Sequence, residues 1–122
     1  VPLSTAVRRS CLEFLQPDEQ IDYVFPAISA GPPGMISVLV VVSRSRITVL
    51  ACKQLRRNEP DSVWASFPRT SRLTPVEEGA GPVISLGSML LEIDDEYLSV
   101  VRAADAEMSG DEFLPPDPLP DL

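Results

Sequence analysis

No histidine is present among the 122 residues, so the commonest general base and the commonest metal ligand are both missing. What remains for chemistry is a set of cations and a few acidic runs. Arg44 and Arg46 fall in one tight turn, Lys53, Arg56 and Arg57 in the next polar stretch, and Arg69 and Arg72 in a third. If these three loop ends gather, they form a positive patch that attracts anionic lipid headgroups, at about 1 kcal/mol per basic residue near a charged surface. The competing reading is solvated loop charge that pairs with the acidic half of the chain.

The other candidates for chemistry read as structural. Asp94-Asp95-Glu96 is a run of three carboxylates, but neighbours on one helical turn point apart and converge poorly on one ion. The same residues suit the start of a helix, where acidic side chains cap and complement the dipole. Glu77-Glu78 reads as a solvated turn. The serines and threonines between Ser37 and Thr74 have no histidine partner and no nucleophile-elbow pattern. Gly31-Pro32-Pro33-Gly34 cannot cradle phosphate as a glycine loop does, because two of its residues lack an amide donor. Cys11 and Cys52 have neither metal nor redox-pair spacing and read as two reduced, half-buried thiols. A disulfide between them requires the N-terminal helix to lie over the strand that carries Cys52. No catalytic residue, metal ligand or cofactor site is expected.

Charge points the same way. The formal net charge is −8, with nine of the ten basic residues in 1–72 and twelve of the eighteen acids in 73–122. An acidic chain without a basic face is not expected to bind nucleic acid. The longest apolar run, 38–42, is too short to span a bilayer. Val1-Pro2-Leu3 does not begin a secretory leader, so a cytoplasmic location is expected.

The elements that position these groups follow from periodicity. Residues 4–15 read as a short helix capped by Ser4, with Leu3, Val7, Cys11, Phe14 and Leu15 on one face. Residues 21–27 alternate, with Ile21, Tyr23 and Phe25 opposite Asp22 and Val24, and Pro26 suggests an edge or an end. Residues 36–43 are apolar on both faces, which predicts a covered strand, and 46–53 run back from the Ser43–Arg46 turn. Further strands are expected at 62–68, 71–76, 82–87 and 89–94. The last two are joined at Gly87-Ser88, a dipeptide suited to a II′ turn. In the strand 62–68, Val63, Ala65 and Phe67 share one face and Trp64 takes the other, under the N-terminal helix or toward a partner groove; packing under the helix is the expectation adopted. A helix then starts at Asp94 or Asp95, buries Tyr97, Val101, Ala104 and Met108, and stops at Gly110. Residues 111–122 are acidic and proline-rich and are expected to be disordered. Three regions result: a helix over 1–16, one domain over 17–110, and the tail. The fold class is mainly β (α+β), a seven-stranded antiparallel barrel or sandwich capped by a C-terminal helix.

Seven strands followed by one helix is the order of the pleckstrin-homology-like fold. Val42-Ser43-Arg44-Ser45-Arg46-Ile47-Thr48-Val49-Leu50 resembles the second hairpin of small actinobacterial pleckstrin-homology-like proteins, which read Thr-Asp-Arg-Arg before the isoleucine. Phe67-Pro68-Arg69-Thr70-Ser71-Arg72-Leu73-Thr74-Pro75-Val76 is similar to their Leu-Pro-Arg-Ser-Thr-Arg-Ile-Gly-Pro-Val segment, with Thr74 in place of glycine. Val101-Arg102-Ala103-Ala104-Asp105-Ala106 resembles their helix, although Asp94-Asp95-Glu96-Tyr97 replaces a basic and aromatic start. The resemblance covers about residues 17–108 and implies a fold and a non-enzymatic, bacterial protein. Lipid-binding pleckstrin-homology domains typically take their key cations from the first strand pair, and 27–35 holds no cation here, so specific headgroup recognition is not implied.

The function expected is a non-catalytic interaction module for a protein partner, with Trp64, Tyr97 and Val101 lining the groove. The alternative is a peripheral module on anionic membrane, held by Arg44, Arg46, Lys53, Arg56, Arg57, Arg69 and Arg72.

Overall fold

The β-branched run Ile36–Ser43 is the most strongly strand-forming segment of the chain, and it lies inside the sheet. In the computed structural model, which describes residues 5–29, 35–53, 58–73 and 81–113 with side chains as far as Glu107, the elements are α1 (Thr5–Leu12), β1 (Ile21–Ser29), β2 (Ile36–Ser43), β3 (Arg46–Cys52), β4 (Pro60–Pro68), β5 (Val83–Leu86), β6 (Met89–Glu92), a 3₁₀ turn (Asp95–Tyr97) and α2 (Leu98–Phe113). Ser4, Leu3, the Gly31-Pro32-Pro33-Gly34 loop, Arg56, Arg57, Glu77-Glu78, the Met108 side chain and residues 114–122 lie outside the described residues.

The strands form one antiparallel sheet in the order β4-β3-β2-β1-β6-β5. It is curled into a half-barrel. A Cβ placed on Gly87, in the β5–β6 turn, would lie 2.8 Å from Phe67 Cε1 on β4. The opposite ends of the strand order therefore touch at that corner. Gly87 has φ 59° while Ser88 keeps negative φ, the pattern of the II′ turn expected there.

Both faces of β2 are covered. The inner face carries Val38, Val40 and Val42, which join Phe25, Ile47, Val49, Ile84, Leu86 and Leu91 beneath Tyr97, Val101 and Ala104 of the C-terminal helical segment. The outer face carries Leu39 and Val41, which join Val24 and Leu50 beneath Cys11, Val7, Phe14 and Leu15. Burying side chains of this kind contributes about 1.5–3 kcal/mol each, so both helices are held chiefly by apolar area.

Six strands are present among the described residues rather than seven. The expected strand at 71–76 is absent over 71–73. Ser71 donates its N–H to Pro68 O at 3.0 Å in a turn, and Leu73 donates its N–H to Asp105 Oδ1 at 2.8 Å. A carboxylate on α2 thus takes the donor that a neighbouring strand would have used. Residues 74–76 lie outside the described residues.

Three inserted residues interrupt the register, and those at Asp22 and Trp64 shift the expected faces. Between Ile21↔Ser43 and Tyr23↔Val42, Asp22 is extra, so Ile21 joins the outer cluster while Tyr23 and Phe25 stay inside. Trp64 is extra between Val49↔Ala65 and Leu50↔Val63, and Asp61 is extra between Ala51↔Ser62 and Cys52↔Pro60. β1 also runs through Pro26 instead of ending there. β6 pairs with β1 only at Ile28 and Ser29, so Pro26 has a single neighbouring strand and its missing donor is tolerated.

At its end, α1 tightens: Glu13, Phe14 and Leu15 donate to carbonyls three residues back, which carries the chain turn by turn to residue 15. Asp94 precedes the 3₁₀ turn as its cap residue, without a capping bond from its side chain. α2 continues through Gly110 to Phe113. A glycine stops a helix when it adopts the left-handed conformation, and among the described glycines only Gly87 has positive φ.

Candidate interaction surface

The basic residues divide between the two ends of the sheet. Arg44 and Ser45 form the β2–β3 turn, and Arg46 opens β3 opposite Pro68 of β4. Arg69 follows directly, so Arg44, Arg46 and Arg69 share one end. Lys53 lies past the far end of β3, about 20 Å away at 3.3 Å per residue. Arg56 and Arg57 lie outside the described residues.

At the first end the cations are balanced by acids. Glu19, only 5% exposed, accepts hydrogen bonds from Ser43 Oγ and from the Gln16 N–H at 3.1 Å, and faces Arg46 Nε at 3.6 Å. It ties the α1–β1 link to the hairpin turn. The open hollow beside it, about 610 Å³, is lined by Asp18 and Glu19 as well as Arg44 and Arg46. A second hollow of about 430 Å³, between Arg44, Arg69, Tyr23 and Glu107, is equally mixed in sign. Neither presents the uniform positive wall that concentrates anions.

Arg69 is built into the fold. Its side chain is 6% exposed, donates to Ala104 O of α2 at 3.0 Å, and meets Glu107 Oε1 at 3.4 Å. Tyr23 OH donates to the other oxygen of Glu107 at 3.2 Å. Burial and the Glu107 carboxylate raise the Tyr23 phenol pKa above its ordinary value. Arg72 Nη1 lies 4.0 Å from Asp105 Oδ2, whose other oxygen holds the Leu73 amide. Arg69, Arg72, Asp105 and Glu107 therefore clamp α2 to the chain leaving β4. At the opposite end, Lys53 Nζ lies 3.7 Å from Glu59, and Lys53 donates its N–H to Glu59 O at 2.9 Å. Asn58 beside it takes φ 68°, a left-handed conformation that asparagine tolerates.

The three groove residues also separate. Tyr97 and Val101 are buried in the inner cluster. Trp64 does not pack under α1 as expected. It is the bulged residue of β4 and is 42% exposed beside Val63, which is 50% exposed. The bulge puts Val63 on the outer face with Leu50, away from Ala65 and Phe67. Two adjacent apolar side chains thus stand in solvent on β4, which has one hydrogen-bonded neighbour among the described residues. Sequence reasoning flagged Trp64 by its parity and missed Val63, because the inserted residue leaves no mark in the hydrophobic pattern.

Among the described residues no group of acids and cysteines is placed to hold a metal ion, and no helix is long and apolar enough to cross a membrane. Compared with protein families, curated proteins and solved structures, the chain matches none of them.

Proposed function

We propose that the chain is a non-catalytic interaction module of the pleckstrin-homology-like kind, and that it binds a protein partner through the edge of β4 that has no hydrogen-bonded neighbour among the described residues. The observation that carries this reading is the exposed pair Val63 and Trp64 on an edge strand. An edge strand offers backbone donors and acceptors to an added strand, and neighbouring apolar side chains supply the specificity. A tryptophan half in solvent is the residue type most enriched at binding hot spots. The resemblance to small actinobacterial proteins supports the same assignment, with a cytoplasmic location.

The second reading is peripheral attachment to anionic membrane, favoured by the exposure of Arg44 at the β2–β3 turn. Two experiments separate the readings. In affinity capture from the source cells, Val63→Asp with Trp64→Ser removes the partner that wild type retains, and Arg44→Glu with Arg46→Gln does not. In co-sedimentation with phosphatidylglycerol vesicles at physiological salt, wild type stays in the supernatant. Vesicle binding lost in the arginine variant, with no partner captured, would overturn the proposal in favour of the membrane.

A further inference from the structure

The N-terminal helix lies over the strand that carries Cys52, which meets the condition that the sequence sets for a cysteine pair. Cys11, on the sheet-facing side of α1, is fully buried, and Cys52 packs against the same cluster from the end of β3. Both are thiols. Burial first, and then the neighbouring Cys52, raise the Cys11 thiol pKa to about 11. Around them are Val7, Phe14, Leu15, Val24 and Leu50, which make up the rest of this apolar layer with Ile21, Leu39 and Val41.

We propose that Cys11 and Cys52 form an intramolecular disulfide when the protein meets a disulfide oxidant such as oxidised glutathione, and that this bond fastens α1 to β3. Cys52 reacts first, because it is partly exposed while Cys11 is sealed. Its thiolate attacks one sulfur of the oxidant, the oxidant's S–S bond breaks, and one glutathione leaves as a thiol. Cys11 then loses its proton to solvent, and its thiolate attacks Cys52 Sγ and displaces the second glutathione. The two protein thiols give up two electrons and two protons, and the oxidant is reduced to two thiols.

The consequence is mechanical. In the dithiol form α1 is held to the outer face by side-chain packing. In the disulfide form the cover over Val24, Leu39, Val41 and Leu50 is covalent. The bond closes a loop of about 40 residues, and so removes freedom mainly from the unfolded chain.

The test uses the full chain, reduced, then incubated with oxidised glutathione at mildly alkaline pH, alkylated in denaturant and weighed intact. The result expected is a monomer lighter by two hydrogens with no alkylation, a linked Cys11–Cys52 peptide after digestion, and a melting midpoint raised by roughly 10 °C. Reductant reverses all three. Cys11→Ser should instead keep glutathione on Cys52, because the second thiol is gone. The proposal is overturned if wild type keeps two alkylatable thiols, holds a lasting glutathione adduct on Cys52, or links two chains together. The wild-type mass decides the question even if the variant does not fold.

Discussion

Arg69 is a cation that the fold has taken out of solvent, and its removal should be costly for that reason. Arg69→Ala removes the charged donor that Ala104 O and one oxygen of Glu107 share, and Asp105→Ala leaves the buried Leu73 N–H without an acceptor. Each should destabilise the protein by about 2 kcal/mol, as for other hydrogen bonds to charged groups. Because the two clamp the same segment, the double variant should lose less than the sum of the single losses, as read by urea denaturation. Cys11 makes a prediction about pH. Its thiol pKa rises from 9.0 to about 11 on burial, so folded and unfolded chains both keep the proton below 9.0. Between 9.0 and about 11 the unfolded chain releases it more readily, and stability falls as pH rises. The loss should reach about 2 kcal/mol. Cys11→Ala should flatten this window in melts taken at rising pH. Arg69 also shows what a sequence hides. Its place in a loop was legible, but its burial depends on an α2 carbonyl 35 positions away, which no local pattern reports.

At the scale of elements, closure of the half-barrel rests on the corner where β4 meets the β5–β6 turn. Gly87→Ala should cost about 2 kcal/mol, because φ there is 59° and the added methyl meets the Phe67 ring at 2.8 Å. Phe67→Leu in the same chain should relieve the collision but not the backbone strain, so a double-mutant cycle should show positive coupling. The β2–β3 hairpin was legible because β-branched residues fill both faces and a polar turn separates the runs. Gly87-Ser88 was legible because glycine accepts a positive φ at the first turn position at no steric cost. The bulges at Asp22, Asp61 and Trp64 were not. Each inserts one residue, which reverses parity beyond it, and the alternation on either side still looks regular. The fifth expected strand is absent over 71–73 for a different reason: the donor of Leu73 is satisfied by Asp105, a partner on a distant helix.

For the whole molecule, the net charge is acidic, Arg46, Arg69 and Arg72 are tied to acids, and Val63 with Trp64 is the adjacent pair of exposed large apolar side chains on β4, an edge strand among the described residues. The bulges and the prolines at both ends of β4 guard that edge against indiscriminate strand pairing, which is how natural edges avoid aggregation. Under the proposed function, a partner strand has to fit the bulged part of this edge. The measurement that tests the claim most directly is photocrosslinking in the source cells, with a photoreactive phenylalanine analogue placed at Trp64 and, in a second chain, at the exposed Ser85 on the opposite edge strand. The proposed function predicts one discrete protein adduct from position 64, lost on Val63→Asp, and none from position 85. Equal adducts from both positions, or none from position 64, would contradict it.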